Sequence, residues 1–172
     1  RRGDQPRGAT RATGAQTGAA PSPGQPPRST RHHPTTMTDP NQLNQIGAPY
    51  LPGLLGIRIR QLAPGEVQAE LAVRQELMAP NGFLHAGTLV TLADTSAGYG
   101  CMANMPAGAT GFTTLELKSN HLGTARDGTV DCVAKATHLG RTTQVWDAVL
   151  THRDSGRTLA LFRCTQMLLY PR

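Results

Sequence analysis

The chain has 172 residues, of which 38% are hydrophobic, so it is long enough for one domain with a proper core. Its net charge of +6 lies almost wholly in residues 1–36, where six Arg stand against one acidic residue, Asp4. The rest of the chain is close to neutral, which excludes a basic groove for nucleic acid.

Residues 1–36 contain no Leu, Ile, Val, Phe, Met, Trp or Tyr. A segment without these side chains has nothing to bury, so we expect it to be disordered. Met37 opens a passage, MTDPNQLNQIG, that is typical of a protein start. We therefore expect the native protein to begin at Met37, with a transit peptide or a basic arm as the alternatives for the preceding tail.

No apolar run reaches the roughly 18 residues that span a bilayer, and the Arg-rich start lacks the apolar stretch of a secretion signal. These patterns predict a cytoplasmic protein without a membrane segment. The three cysteines, Cys101, Cys132 and Cys164, are odd in number and widely spaced. Their spacing fits neither a disulfide framework nor a zinc site, so we expect free thiols packed in the core.

The first predicted element is a β-hairpin. Alternation from Leu54 predicts a strand with Leu55, Ile57 and Ile59 on one face and Arg58 and Arg60 on the other. The dipeptide Pro64-Gly65 marks a turn, and a second strand alternates from residue 67 to residue 73. A polar loop, residues 74–84, follows the hairpin.

One long helical pattern runs from Ala86 to about Met102 and is ended by Pro106 and Gly108. At about 100° per residue, its apolar face carries Leu89, Leu92, Ala93, Ser96, Ala97 and Gly100. The opposite face carries Gly87, Thr91, Asp94 and Gly98. The many small residues predict close packing around this helix on nearly every side.

Four further strand-like runs complete the chain, at residues 111–122, 129–139, 142–152 and 157–170. The breaks between them contain the Gly or Asp that tight turns use. Two strands, one helix and four strands predict an α+β domain over residues 37–172. The simplest arrangement is a curved antiparallel sheet wrapped around one central helix.

The densest group of polar and small residues, Asn81 to Gly87, lies where the loop meets the helix. The first turn of a helix has free N–H groups, and an N–H at Gly87 could bind the oxygen of a carbonyl that becomes an oxyanion. The alternative is that Gly82 and Gly87 serve only the turn and close packing. His85 could polarise a carbonyl, fix the loop or cap the helix, and Asn81 has the same ambiguity.

Asp94 has no basic partner at positions 90, 91, 97 or 98, which favours a functional role over that of a solvated acid. Gly87 and Asp94 lie on one helix face, two turns and about 10 Å apart. One carbonyl cannot touch both. If both residues act, Gly87 of one subunit must meet Asp94 of another about a two-fold axis, and the protein is a homo-oligomer.

The run Asn81-Gly82-Phe83-Leu84-His85-Ala86-Gly87, then Leu92-Ala93-Asp94, resembles the N-x-x-x-H-G-G and L-x-D pattern of hotdog-fold acyl-CoA thioesterases. The similarity is to the phenylacetic acid degradation group, or PaaI-like thioesterases. It extends through Thr114-Leu115-Glu116-Leu117 and His138-Leu139-Gly140-Arg141 and covers residues 45–170. Ala86 departs from the pattern, because it stands where the family has the first Gly of its triplet.

The resemblance implies hydrolysis of an acyl-CoA by a dimer or a dimer of dimers, without a metal or a cofactor. The Gly87 amide would form the oxyanion hole, and Asp94 of the facing subunit would be base or nucleophile. Asn81 and His85 would position the thioester or the water.

Three more positions match the family at lower specificity. Thr114 stands where relatives place a hydroxyl that helps to hold water. Gly140 and Arg141 stand at a predicted hairpin turn, where Arg141 would contact the phosphates of coenzyme A or remain a solvated turn residue.

Other functions fit less well. A hotdog hydratase or dehydratase would carry a D-x-x-x-H pairing, which this sequence lacks. A non-catalytic acyl-CoA-binding module would keep the fold and the pocket at Gly87 but would not need Asp94. A nucleic-acid-binding protein would depend on the tail alone. The acyl group stays open between aryl and medium-chain acids.

Overall fold

The computed structural model describes residues 39–171 of the chain. The predicted tail and the predicted start at Met37 lie outside this range. The elements are, in order, α1 (Pro40–Gly47), α2 (Leu51–Leu55), β1 (Arg58–Ala63), β2 (Glu66–Ala72), a 3-10 turn (Gln75–Leu77), α3 (Ala86–Ala103), β3 (Gly111–His121), β4 (Thr129–Leu139), β5 (Thr143–His152) and β6 (Thr158–Leu169).

The six strands form one antiparallel sheet in the order β1-β2-β4-β5-β6-β3, which makes β1 and β3 the edge strands. Helix α3 packs against β2, β3, β4, β5 and β6. A sheet can contact a single helix with so many strands because it curves around that helix. The predicted α+β architecture of a central helix and six strands is confirmed.

The predicted apolar face of α3 is buried against the sheet. Its small residues allow large side chains of the sheet to approach the helix closely. A Cβ added at Gly100 would lie 2.5 Å from the ring of Trp146, and one at Gly98 would lie 3.2 Å from the ring of Phe112. Because a methyl group at Gly100 would overlap the Trp146 ring and one at Gly98 would press on the Phe112 ring, the close packing predicted from these glycines is present.

The strands alternate between the face that packs on α3 and the outer face. On β6 the inward residues Phe162, Cys164, Gln166 and Leu168 are buried, whereas Leu161, Arg163, Met167 and Leu169 are exposed. This period of two is the one expected for a sheet with one buried face. The three cysteines are free and buried, as predicted.

The first strand begins later than predicted. Leu55 ends helix α2 and is not part of a strand. Pro52 favours the first turn of this short helix, and Gly56 ends it in a left-handed conformation with φ +76°. The alternation in β1 nevertheless holds, since Ile59 is buried and Arg58 is exposed.

Helix α1 has no counterpart among the predicted elements. Asp39 caps it by accepting a hydrogen bond from the N–H of Asn41 at 2.9 Å, and Pro40 follows at the first helical position. Its apolar side chains are few, and Leu43 and Gly47 are the buried residues. A pattern this short and polar gives little periodicity from which to predict a helix.

Candidate active site

The loop before α3 is fixed to the rest of the domain on both sides. Met78 and Leu84 form a short β-bridge across the loop. The N–H of His85 donates to the carbonyl of Leu77 at 3.0 Å, and the N–H of Leu84 donates to the carbonyl of Ala125 at 2.9 Å. These bonds determine where the chain turns into the helix.

His85 caps α3. The N–H of Gly87 donates to Nδ1 of His85 at 2.8 Å, so the ring occupies the donor that was expected to be free. Of the three alternatives for His85, capping is the one observed. Because Nδ1 accepts a hydrogen bond, the neutral ring carries its proton on Nε2. His85 is exposed, so this N–H is a second donor beside Gly87.

Gly87 and Asn81 are exposed, like His85. A Cβ added at Gly87 would lie 2.9 Å from Nδ1 of His85, so a larger residue there must displace the ring. Asn81 accepts a hydrogen bond from the N–H of Phe83 at 3.3 Å through its Oδ1 atom. This bond closes the turn that leads to His85.

Asp94 lies two turns along α3 from Gly87, at a distance of about 10 Å. The residue is half-buried, and its Oδ1 atom has no hydrogen-bond partner among residues 39–171. Burial raises the pKa of its carboxyl above the ordinary value of 3.8. A carboxylate that is desolvated and unpaired in this way is a stronger base than a solvated one.

Thr114 lies on the same side of α3 as Asp94. Gly98, one turn after Asp94 on α3, lies against the ring of Phe112, two residues before Thr114 on β3. Gln166 follows Cys164 on the same face of β6 and pairs directly with Thr114 on β3. The hydroxyl of Thr114 donates to Oε1 of Gln166 at 2.9 Å.

Gly140 and Arg141 lie in the turn between β4 and β5, near the other end of α3. Just after this turn, Nε2 of Gln144 donates to the carbonyl of Asn104, the residue that follows α3. Since α3 has 18 residues, it is about 27 Å long. Within one chain, Arg141 is therefore remote from Gly87.

The predicted site residues thus form three separate groups in one subunit, of which Gly140 and Arg141, near the C-terminal end of α3, are one. Asn81, His85 and Gly87 stand at the start of α3 and carry hydrogen-bond donors, of which the Gly87 N–H is bonded to the His85 ring. Asp94 and Thr114 stand two turns along and offer oxygen atoms that can bind water or take a proton. A reacting carbon must lie roughly 3 Å from both its base and its oxyanion donor, which these positions do not allow within one chain.

Gln166 is absent from the predicted site residues, although the sequence carries a signal for it. It falls on the inward face of β6, between Cys164 and Leu168, where every other position is apolar or weakly polar. A polar side chain on a buried face must find a hydrogen-bond partner. That partner is Thr114, which connects Gln166 to the candidate site.

No helix within residues 39–171 is both long and apolar enough to cross a membrane. The same part of the chain contains no group of three or more His, Cys, Asp or Glu side chains placed to hold a metal ion.

Residues 81–159 match the family model described as the thioesterase superfamily. The match includes the predicted site residues Asn81, His85, Gly87, Asp94, Thr114, Gly140 and Arg141. A 1,4-dihydroxy-2-naphthoyl-CoA hydrolase from Listeria monocytogenes is 33% identical over 111 residues, which cover 64% of this chain and 89% of the relative.

Solved structures are similar as well. The crystal structure of a mutant thioesterase from Pseudomonas aeruginosa has a TM-score of 0.74 and 33% identity, and it covers 78% of this chain and 96% of that chain. The E. coli PaaI protein from the phenylacetic acid degradation operon is alike in fold, with a TM-score of 0.62, 24% identity and coverage of 69% and 83%. The chain therefore belongs to the thioesterase superfamily, has the predicted hotdog fold and is a thioester hydrolase.

Proposed function

We propose that this protein hydrolyses an aryl or medium-chain acyl-CoA to the free acid and coenzyme A. The observation that carries the proposal is the half-buried carboxylate of Asp94, whose Oδ1 atom has no partner in the described part of the chain. A ring-bearing acyl group is supported by the name of the Listeria relative, which is a hydrolase of a naphthoyl-CoA.

In the proposed reaction, the carbonyl oxygen of the thioester displaces the His85 ring and accepts the hydrogen bond from the Gly87 N–H. Gly87 has no side chain to obstruct this approach. The N–H then stabilises the oxyanion that forms when the carbonyl carbon is attacked. Asn81 and His85 position the thioester or the water through their exposed polar groups.

Asp94 of the facing subunit acts as base or nucleophile. As base, its carboxylate takes a proton from water while the water oxygen adds to the carbonyl carbon, after which the C–S bond breaks and the proton passes to sulfur. As nucleophile, the carboxylate oxygen adds first and expels coenzyme A, which takes a proton from solvent. Water then hydrolyses the mixed anhydride.

The exposed edge of β3 supports a dimer. This strand has 11 residues, and its Leu115 and Leu117 side chains are 54% and 41% exposed. A long apolar edge strand is a template for pairing with another chain. We propose that β3 of two subunits lie together about a two-fold axis, with antiparallel α3 helices that bring Gly87 of one subunit to Asp94 of the other.

The same symmetry gives Arg141 a role. In an antiparallel pair, the C-terminal end of one α3 lies toward the N-terminal end of the other. Arg141 and Gly140, which lie near the C-terminal end of their own helix, would then approach the Gly87 amide of the partner subunit. We propose that Arg141 binds a phosphate of coenzyme A there.

The outer face of the sheet supports a dimer of dimers, that is, a homotetramer. Four apolar side chains of this face are between 38% and 42% exposed, namely Val149, Leu161, Met167 and Leu169. Exposed apolar side chains on one sheet face favour contact between subunits. Light scattering of the purified protein would distinguish the tetramer from the dimer.

A panel of acyl-CoA substrates, assayed by release of free thiol and by binding, separates hydrolysis from the alternative of a non-catalytic acyl-CoA-binding module. We expect Asp94→Asn to bind acyl-CoA as the wild-type protein does and to lose at least about 100-fold in kcat. Binding without thiol release by the wild-type protein would establish the module instead.

Mixing two inactive variants tests whether the site is shared between subunits. Gly87→Val disables the oxyanion site of its own chain, and Asp94→Asn disables its own carboxylate. After subunit exchange, half of the dimers are mixed and have one intact site of two, so activity should recover to roughly a quarter of the wild-type value.

A matched mixture provides the control. Gly87→Val and His85→Ala both damage the half-site at the start of α3, so their mixed dimers have no intact site and should show no recovery. If the Gly87→Val and Asp94→Asn mixture also fails to recover, although mass spectrometry shows exchange, the two residues do not act across the interface.

A further inference from the structure

Two buried glutamines lie side by side beneath α3. Gln144 on β5 and Gln166 on β6 are paired residues of neighbouring strands, and both side chains are 0% exposed. A buried amide must be hydrogen-bonded, because leaving its donor or acceptor unpaired costs about 1–3 kcal/mol. Their different partners give the two residues different roles.

Gln144 bonds to structural groups. Its Nε2 atom donates to the carbonyl of Asn104 at 2.9 Å, and its Oε1 atom accepts from Nε1 of Trp146 at 3.0 Å. These bonds connect the end of α3 to the sheet and satisfy the buried indole N–H. None of the three residues belongs to the proposed site.

Gln166 bonds to a residue of the proposed site. Its Oε1 atom accepts from the hydroxyl of Thr114 at 2.9 Å, and its Nε2 atom donates to Sγ of Cys164 at 3.4 Å. The contact with Cys164 orients the amide so that its oxygen faces Thr114. The thiol stays neutral because burial raises its pKa to about 12.

This arrangement determines what the Thr114 hydroxyl can offer to water. A hydroxyl has one proton to donate and two lone pairs to accept with. Because Gln166 accepts the proton, Thr114 presents only lone pairs to any further partner. A β-bulge at Leu115, directly after Thr114, interrupts the pairing of β3 with β6 at this point. Bulges of this kind re-aim side chains next to active sites.

An attacking water needs two acceptors if its own lone pair is to point at the carbonyl carbon. Asp94 takes one of its protons, and the other stays on the oxygen and needs a second acceptor. Thr114 lies on the same side of α3 as Asp94, because Gly98, one turn after Asp94, lies against the ring of Phe112, two residues before Thr114 on β3. A Thr114 hydroxyl held as an acceptor meets this requirement.

We propose that Gln166 is a positioning residue that holds the Thr114 hydroxyl as an acceptor for the attacking water. The inference rests on the proposed function, since it concerns the water of the proposed hydrolysis. In the base route, one O–H bond of water breaks to Asp94, the other is retained and bonded to Thr114, and a new C–O bond forms at the carbonyl carbon. In the anhydride route, the water oxygen adds to the acyl carbon of the anhydride, the bond from that carbon to the Asp94 oxygen breaks and restores the carboxylate, one proton passes to solvent, and Thr114 accepts from the O–H that is retained.

The test compares Gln166→Met with Thr114→Val and with the double variant. We expect each single variant to lower kcat by about 10-fold with KM within about 2-fold, and the double variant to be no slower than either. Gln144→Met, the matched control, should lower the Tm and leave kcat within about 2-fold of wild type. The proposal would be overturned if Gln166→Met lowered kcat by the same factor in the wild-type chain and in the Thr114→Val chain.

Methanol as a competing acceptor of the acyl group gives a second measurement. Methanol has one O–H, which Asp94 takes, so its attack does not need Thr114 as an acceptor. Gln166→Met should therefore raise the ratio of methyl ester to free acid by about 10-fold. This ratio does not depend on the folded fraction of the variant. An unchanged ratio would show that Gln166 has only a structural role.

Gln166→Glu provides the conservative variant. A carboxyl in this buried site is expected to be neutral, and its carbonyl oxygen can still accept from Thr114. The product ratio should then stay within about 3-fold of wild type. A ratio as high as that of Gln166→Met would contradict the role of the acceptor oxygen.

Failure of this inference differs from failure of the proposed function. If Thr114→Val is slow and Gln166→Met has wild-type kcat and product ratio, Gln166 does not position Thr114, and the proposed hydrolysis stands. If Asp94→Asn turns over acyl-CoA at the wild-type rate, the proposed function itself is wrong.

Discussion

The two edges of the sheet differ in whether a side chain of the same chain is hydrogen-bonded to their free backbone groups. At β1, the side chain of Asn44 on α1 receives the N–H of Ile59 at 2.7 Å and donates to the carbonyl of the same residue at 3.0 Å. β1 has 6 residues and contains a bulge between Ile59 and Gln61. Short length, a bulge and a covering helix are the usual protections of an edge strand.

The β3 edge has a bulge after Thr114 but lacks the other two protections. The β3 strand is nearly twice as long as β1, and its Leu115 and Leu117 side chains are exposed. It also contains Ser119, whose buried Oγ atom has no hydrogen-bond partner among residues 39–171. Asp94 and Thr114 lie on this side of α3. One edge is completed within the chain, and in the proposed dimer the other edge would be completed by a second subunit, together with the active site.

The largest effect is expected from placing charge on the β3 edge. Leu115→Glu combined with Leu117→Glu sets like charges against each other across the proposed two-fold axis, which opposes pairing. We expect a monomer by light scattering and a loss of turnover of at least about 100-fold, because no site has both halves. Gln61→Glu on β1 is the control and should leave the mass by light scattering and the turnover unchanged. A monomer with wild-type turnover would show that one chain suffices.

A smaller effect is expected at the protected edge. Asn44→Ala removes both hydrogen bonds to Ile59 and leaves a part-buried N–H and carbonyl without partners. The free energy of unfolding should fall by about 1–3 kcal/mol, as measured by urea denaturation. Subunit mass and kcat should not change. If Asn44→Ala also altered the mass, the β1 edge would take part in assembly.

The ionised carboxylate of Asp94, on the β3 side of α3, should destabilise the fold at neutral pH. Burial raises the pKa of Asp94 above its ordinary value of 3.8, because the ionised carboxylate is less stable in the folded chain than in the unfolded one. Ionisation therefore lowers the free energy of unfolding at neutral pH. This loss of stability disappears when the pH falls below 3.8, where the carboxyl is protonated in both states. Asp94→Asn should therefore raise stability at pH 7 by less than about 1 kcal/mol, because solvent screens part of the charge. The gain should shrink as the pH falls toward 4.

The smallest effect is expected from removing residues 1–36, which lie outside the described residues and contribute to neither edge in the proposal. With no apolar side chain larger than Ala or Pro, this tail has little with which to dock. A chain that begins at Met37 should keep its Tm and kcat. Loss of either would show that the tail has a function.

Most of the sheet could be predicted because its periodicity is strong. The strand predicted at residues 129–139 matches β4 at both ends, and the helix predicted from Ala86 begins there. The error at Leu55 arose because one apolar residue fits a strand and a helix end equally well, and the left-handed Gly56 decides between them. Periodicity does not report such local backbone conformations.

The sequence predicts candidate site residues but not the contacts that they make. The spacing of Gly87 and Asp94 predicts two half-sites from helix geometry alone. The bond from Gly87 to the ring of His85, and the bond from Thr114 to Gln166 fifty-two residues away, depend on side-chain positions that only the folded chain defines. Thr114 and Gln166 meet because β3 and β6 are neighbours in the sheet.

The burial of the cysteines has a practical consequence. All three are 0% exposed, and burial raises the pKa of each thiol to about 12, so at neutral pH a colorimetric thiol reagent should find no reactive thiolate on the folded enzyme. The fast signal in a thiol-release assay would then come from coenzyme A alone. Without substrate, the same reagent reacts with the cysteines only when the chain opens. The rate of this slow reaction would therefore report the rate of opening.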